Sequence, residues 1–262
     1  MNIIFQQTQR QRVSDGNTVN ILGNTTPAAY ILVLVWPQLG DFDSLEYAWW
    51  LYRYAEYFKT QNIAIRAVGI GDRASGERFC GYTGFPPEHL FVDPDGSLHR
   101  QLNLYSGLEM QLPGLPKVGQ TWLNLLLMCA GIGSPGTLAE VFRGYKGDRA
   151  APQLIADNEV VKATPLPPLR GSVFQFAGGK GFQRPFELAT LRLRNMTEVL
   201  SHWSTYVPNP AYLTQRGGTF LFNAAGKLLY EYRDRGILGF AENMSQPLSF
   251  LEKATAHKLQ KL

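Results

Sequence analysis

Cysteine is scarce in this chain, with two residues among 262. Two thiols can build neither a disulfide framework nor a structural zinc site of four thiolates. Charge is also scarce, with 18% charged against 45% hydrophobic residues, which excludes an intrinsically disordered chain. Long apolar runs are missing. The longest, Trp122–Ile132, is interrupted by Asn124 and falls short of the ~18–20 residues that span a bilayer. The four histidines, His89, His99, His202 and His257, are scattered without HxxE or HxxxH spacing, so no metal site is expected. The net charge is only +4, with a pI near 9.0, and no Lys/Arg block stands out. Nucleic-acid binding is therefore not expected. The opening MNIIFQQTQRQRVSDG lacks the continuous apolar core of a secretory signal. The expectation is a soluble chain of the cytoplasm, or of the chloroplast stroma if plastid-encoded or imported. No cofactor motif is found. Gly178-Gly179-Lys180-Gly181 departs from the P-loop pattern and reads as a flexible turn.

What is present is a sequence of buried strands and amphipathic helices. Ala28–Trp36 is apolar throughout and half β-branched or aromatic, as in a strand buried on both faces, with Pro37 and Gly40 expected to stop it. Asp43–Lys59 reads as one helix with Asp43 as N-cap, Glu46 at capping-box spacing, and Leu45, Ala48, Trp49, Tyr52, Ala55 and Phe58 on the core face. Ile63–Ile70 is a second buried strand, which makes a βαβ unit. A short helix at Ala74–Gly81, a strand at Leu90–Val92 and a helix at Ser97–Leu104 follow. Phe186–Tyr206 reads as an amphipathic helix, with Leu188, Leu191, Met196, Val199, Leu200 and Trp203 on its apolar face. Thr219–Asn223 and Lys227–Tyr232 form a hairpin around Ala224-Ala225-Gly226, and Ser245–Leu259 is a closing helix. A βαβ half followed by a ββα half is the thioredoxin order: an α/β fold with a mixed central sheet and helices on both faces. The reading is one domain over 1–262. Its core covers about 28–104 and 212–256, a large insertion about 105–211 precedes the hairpin, and residues 1–27 are irregular.

Chemistry in such a fold sits where the first buried strand turns into the first helix. The helix dipole and free N–H groups there lower a thiol's pKa. Here that turn is Trp36-Pro37-Gln38-Leu39-Gly40-Asp41-Phe42-Asp43-Ser44, without cysteine. Three segments carry a family resemblance. They are Arg78-Phe79-Cys80-Gly81-Tyr82-Thr83-Gly84-Phe85-Pro86, the stretch Leu90–Leu104, and Gln215–Tyr232. They resemble the "FC-x-x-TGFP", "VDP-x-x-x-LYRALGL" and "QGGTF…GGKVLYEH" segments of the peroxiredoxin-like 2 branch of the AhpC/TSA superfamily. The resemblance implies Pro-x-x-x-Thr-x-x-Cys, or Cys-x-x-Cys in that branch, at the turn. This chain has Pro37, then Asp41 and Ser44 at those places. A serine hydroxyl has no accessible anion without a base and cannot cycle through sulfenic acid. The resemblance thus implies a degenerate site at Pro37, Asp41 and Ser44. It also places Arg216 near the family's catalytic arginine. An ordinary surface arginine is the favoured reading, and an anion contact the sharper one.

Cys80 and Cys129 both read as buried structural cysteines, with redox use of Cys80 as the alternative. Asp41 and Asp43 read as helix caps. Trp50, Tyr54 and Tyr57 fall on a second face of the aromatic helix. They read either as packing under the insertion or as a protein-partner surface. Trp122–Ile132 reads as a buried helix, with peripheral membrane or partner docking as the alternative. The functional expectation is a binding, scaffolding or assembly protein that has lost thiol peroxidase chemistry. The rival is a divergent antioxidant oxidoreductase using Cys80, and a small-molecule carrier using a pocket under the insertion is a third reading.

Overall fold

The computed structural model describes residues 3–25 and 28–255. In chain order, α1 (Ile3–Gln7) leads into a hairpin of β1 (Gln9–Arg12) and β2 (Thr18–Asn20). Then come β3 (Tyr30–Gln38), α2 (Phe42–Arg53), α3 (Ala55–Thr60), β4 (Ile63–Ile70), α4 (Arg73–Thr83), β5 (Leu90–Val92) and α5 (Ser97–Gln101). The insertion contributes α6 (Lys117–Cys129), α7 (Thr137–Lys146), the short strands β6 (Val160–Val161) and β7 (Leu169–Arg170), α8 (Glu187–Ser201) and α9 (Trp203–Tyr206). The hairpin β8 (Gly218–Asn223) and β9 (Leu228–Arg233) and the helix α10 (Phe250–Thr255) complete the described chain.

Seven strands form one mixed sheet in the order β2-β1-β5-β4-β3-β8-β9. β3, β4 and β5 are parallel, β8 runs antiparallel to β3, and β9 runs antiparallel to β8. This is a thioredoxin-like arrangement. Strand β3 explains why. Its even residues, Leu32, Leu34 and Trp36, enter the core under α2, α4 and α8, and its odd residues, Ile31, Val33 and Val35, enter the core under α1 and α5. Each such aliphatic side chain contributes roughly 1.5–3 kcal/mol of burial. A strand apolar on both faces therefore has to lie at the centre of the sheet. The close approach of β3 and β8 depends on Gly217, where a Cβ would lie 2.3 Å from the Val35 carbonyl oxygen.

The structure differs from the sequence reading in several elements. Residues 1–27 are not irregular where described: β1 and β2 extend the sheet by pairing β1 with β5. Pro37 does not stop β3, which runs to Gln38 with a register shift between Trp36 and Gln38, a bulge that accommodates the missing N–H. The helix expected over 43–59 breaks at Tyr54, and its N-cap is Asp41. Its core face is also rotated. Tyr47, Trp50 and Leu51 are buried, and Tyr52 is 64% exposed. The helix expected over 186–206 breaks at His202, with Met196 and Leu200 outside the core. Helix α6 is not buried. Asn124 anchors it by exchanging two hydrogen bonds with the Met110 backbone, Met128 packs beneath, and Val118, Trp122 and Leu126 face outward. The closing helix covers Phe250–Thr255, and the rest of the expected span lies outside the described residues. Among the described residues no helix is long and apolar enough to cross a membrane.

Candidate functional site

The turn between β3 and α2 lies at the carboxyl end of a parallel strand beside the start of β8. Asp41 is the N-cap of α2, its Oδ1 accepting from the Asp43 N–H at 2.9 Å. The carboxylate thus satisfies one of the orphan donors of the first turn. Arg216, just ahead of β8, reaches the same turn from 175 residues away and is fully buried. Its Nη2 donates to Asp41 Oδ2 at 2.5 Å, and its Nη1 lies 3.4 Å from Asp43 Oδ2. Its Nε donates to the Thr214 carbonyl at 3.2 Å and its Nη2 also approaches the Leu213 carbonyl at 3.4 Å. Asp43 is itself buried and accepts from the Leu238 N–H at 2.9 Å. A third carboxylate, Asp234, is buried close by. Its N–H donates to the Gly217 carbonyl, and its Oδ1 has no hydrogen-bond partner among the described residues.

The electrostatics follow from this geometry. Burial alone would lower the Arg216 pKa, but Asp41 and Asp43 outweigh it and hold the guanidinium charged. Burial and the neighbouring Asp41 push Asp43 well above the usual carboxylate range, with Arg216 acting against them. Burial takes Asp234 up to about 7. One buried cation therefore lies in the field of three carboxyl groups, and four of its five N–H donors are taken by carboxylate and carbonyl oxygens.

Ser44 is 1% exposed, and its hydroxyl donates to the Gln38 carbonyl at 3.0 Å. Among the described residues no base is hydrogen-bonded to it, and none activates it as a nucleophile. Pro37 lies in the bulged end of β3. The structure thus brings Pro37, Asp41, Ser44 and Arg216 to one end of the sheet. Arg216 is no surface arginine. Charged residues are seldom fully buried without a partner, and here the partners are distant in sequence.

Cys80 lies elsewhere, in the interior of α4, where burial pushes its thiol up to about 12. That is the opposite of the helix-start environment that makes a thiol reactive. Cys129 corrects the other cysteine reading, for it is exposed at the end of α6. Its thiol is raised chiefly by the protein packed around it and then by Asp41, while Arg216 pulls it down. Cys129 thus feels the charges of the turn. Sequence reasoning missed this, because only the fold of the insertion returns α6 to that end of the sheet.

The aromatic partner surface is also corrected. Trp50 is 3% exposed and packs beneath α8, next to Leu188 and Leu191. Tyr54 stacks on Trp50, and the Tyr57 hydroxyl meets Thr255 Oγ1 at 2.9 Å. All three pack against the core. Among the described residues, no group of three or more His, Cys, Asp or Glu is arranged to hold a metal ion. His257 lies outside those residues. His99 is buried, donates from Nε2 to the Trp36 carbonyl, and burial lowers it to about 4. Lys180, in the glycine-rich turn, pairs with Asp157.

No curated protein matches the chain. A family model described as AhpC/TSA antioxidant enzyme matches residues 50–236, starting just past the turn at 37–44. The match takes in Cys80, the insertion and Arg216, more than half of the chain. With the thioredoxin-like sheet, it places this chain in the AhpC/TSA family.

Proposed function

We propose that the chain is a binding protein on a peroxiredoxin-like scaffold, a single domain that runs no thiol peroxidase chemistry at the β3–α2 turn. One observation carries this reading: Arg216 is fully buried and ion-paired to Asp41 and Asp43. A guanidinium that is to hold a thiolate and a peroxide needs free donors, and this one has given four of its five to carboxylates and carbonyls. Ser44, where the family pattern places cysteine, is buried without a base. The partner is a protein. Its docking surface is the insertion, where Val118 and Leu126 of α6 and Leu138 and Phe142 of α7 are exposed.

A second reading is favoured by the exposure of Cys129 near the charged turn: thiol chemistry displaced from the turn to the insertion. The raised pKa of that thiol weighs against it. Peroxide consumption separates the two readings. Wild type, Cys80→Ser and Cys129→Ser are mixed with hydrogen peroxide and an organic hydroperoxide, and sulfenic acid is followed by mass spectrometry. All three should match the rate of free cysteine. Fast turnover abolished by one cysteine substitution would overturn the binding reading and name the thiol. Ser44→Cys should remain equally slow, since a thiol placed there meets a buried site and an arginine already paired.

A further inference from the structure

A cavity of about 650 Å³ opens inside the insertion. Its walls are α7, α8 and the 3-10 stretch Gly171–Ala177, and its floor is formed by Phe42 and Leu238. The volume falls within the roughly 300–1,000 Å³ of small-molecule sites. Apart from Tyr145, Thr190 and Arg192, the lining side chains are apolar.

The charge on that wall is already neutralised. Arg192 Nε donates to Glu46 Oε2 at 2.7 Å, and Nη1 to the Glu140 carbonyl at 3.0 Å. Nη2 reaches Glu46 Oε1 at 3.2 Å and Glu140 Oε2 at 3.3 Å. Among the described residues that line the cavity, a ligand carboxylate or phosphate finds no unpaired cation. The Thr190 hydroxyl and the Tyr145 phenol are left to orient a guest.

The backbone singles out the same place. Five described non-glycine residues have left-handed φ. Three are asparagines, which tolerate it, and the two bulky ones are Phe186 at 69° and Leu238 at 57°. Both line this cavity. Strain in bulky residues persists where the surroundings impose it, and ligand clamps are one such setting. The floor also connects to the charged turn. Phe42 stands between Asp41 and Asp43, and the Leu238 N–H is held by Asp43.

We propose that this cavity binds a neutral, apolar small molecule between α7 and α8, gripped by aliphatic and aromatic walls and oriented by Thr190. This rests on the reading of the chain as a binding protein, extending it from a protein surface to an internal ligand.

The test is a titration of the full chain with the neutral fluorophore N-phenyl-1-naphthylamine, followed by displacement. Saturable one-site binding is expected, reversed by 1-dodecanol and at least tenfold less well by dodecanoate. Ala189→Trp, in the wall, and Met196→Trp, at the mouth, should each weaken the probe at least tenfold with circular dichroism and Tm unchanged. Absence of saturable binding overturns the proposal, as does unchanged binding in whichever variants fold. Displacement by dodecanoate equal to that by dodecanol overturns the neutral class. Binding of phosphatidylcholine vesicles by wild type and both variants, without probe binding, assigns the face to a membrane instead. Peroxide turnover in the earlier assay leaves this titration unmoved, so the two readings fail separately.

Discussion

A carboxyl group raised to about 7, as Asp234 is by its burial, makes stability depend on pH in a defined direction. The folded state holds its proton up to about pH 7, and the unfolded chain releases it near ~4. Stability from this group therefore falls as pH rises through that window, by about 1.4 kcal/mol per unit. His99 acts the other way. It is buried neutral with its pKa lowered to about 4, so its contribution is lost as pH falls from ~6.5 toward 4. The two slopes oppose each other between about 4 and 6.5. Asp234→Asn should unmask the histidine slope. Urea midpoints should climb from pH 4.5 to 6.5 in the variant more steeply than in wild type, and the variant should be the more stable of the two at pH 8. Equal slopes in the two proteins would discard this assignment. Such residues were hidden in the sequence. Asp234, His99 and Arg216 look like surface groups until the chain brings their burial about, and the partners of Arg216 lie 175 and 173 residues away.

Helix α2 marks where periodicity stops being informative. Aromatic residues stand at 47, 49, 50, 52 and 54, so several faces qualify as the core face. The choice was made by α8, which covers Trp50 and leaves Tyr52 in solvent. Trp50→Ala should cost about 3–5 kcal/mol in chemical denaturation and Tyr52→Ala less than about 1 kcal/mol. The reverse order would restore the original face. Elsewhere the pattern was decisive. β3, β4, β5 and the β8–β9 hairpin were legible because apolar runs bounded by turn residues leave a strand little choice. Val19–Leu22 reads as a short strand and overlaps β2, but β1, its hairpin partner, was illegible, since Gln9-Arg10-Gln11-Arg12 has no apolar alternation. It is held by ladder bonds and by Arg10, which pairs with Asp93 at 2.9 Å.

That hairpin matters to the whole molecule because it covers the edge of β5, and Phe5 and Ile21 close the core beneath it. A chain beginning at Ala28 should lose both the edge cover and those side chains. We expect a lower Tm and concentration-dependent association by light scattering, since an uncovered edge strand offers unpaired N–H and C=O groups. A truncated chain that stays monomeric with the same Tm would show the hairpin to be dispensable.

The buried arginine at the β3–α2 turn bears on how this sequence can change over time. Asp41 and Arg216 are interdependent, because altering either alone leaves the other's charge without its 2.5 Å partner. Breaking such a pair costs roughly 3–5 kcal/mol. A domain holds only about 5–15 kcal/mol in reserve. A single substitution at either position of this pair therefore removes a large share of the fold's reserve. The pair thus acts as a latch on substitution: a change at Asp41 or at Arg216 is expected to be tolerated only with a matching change at the other.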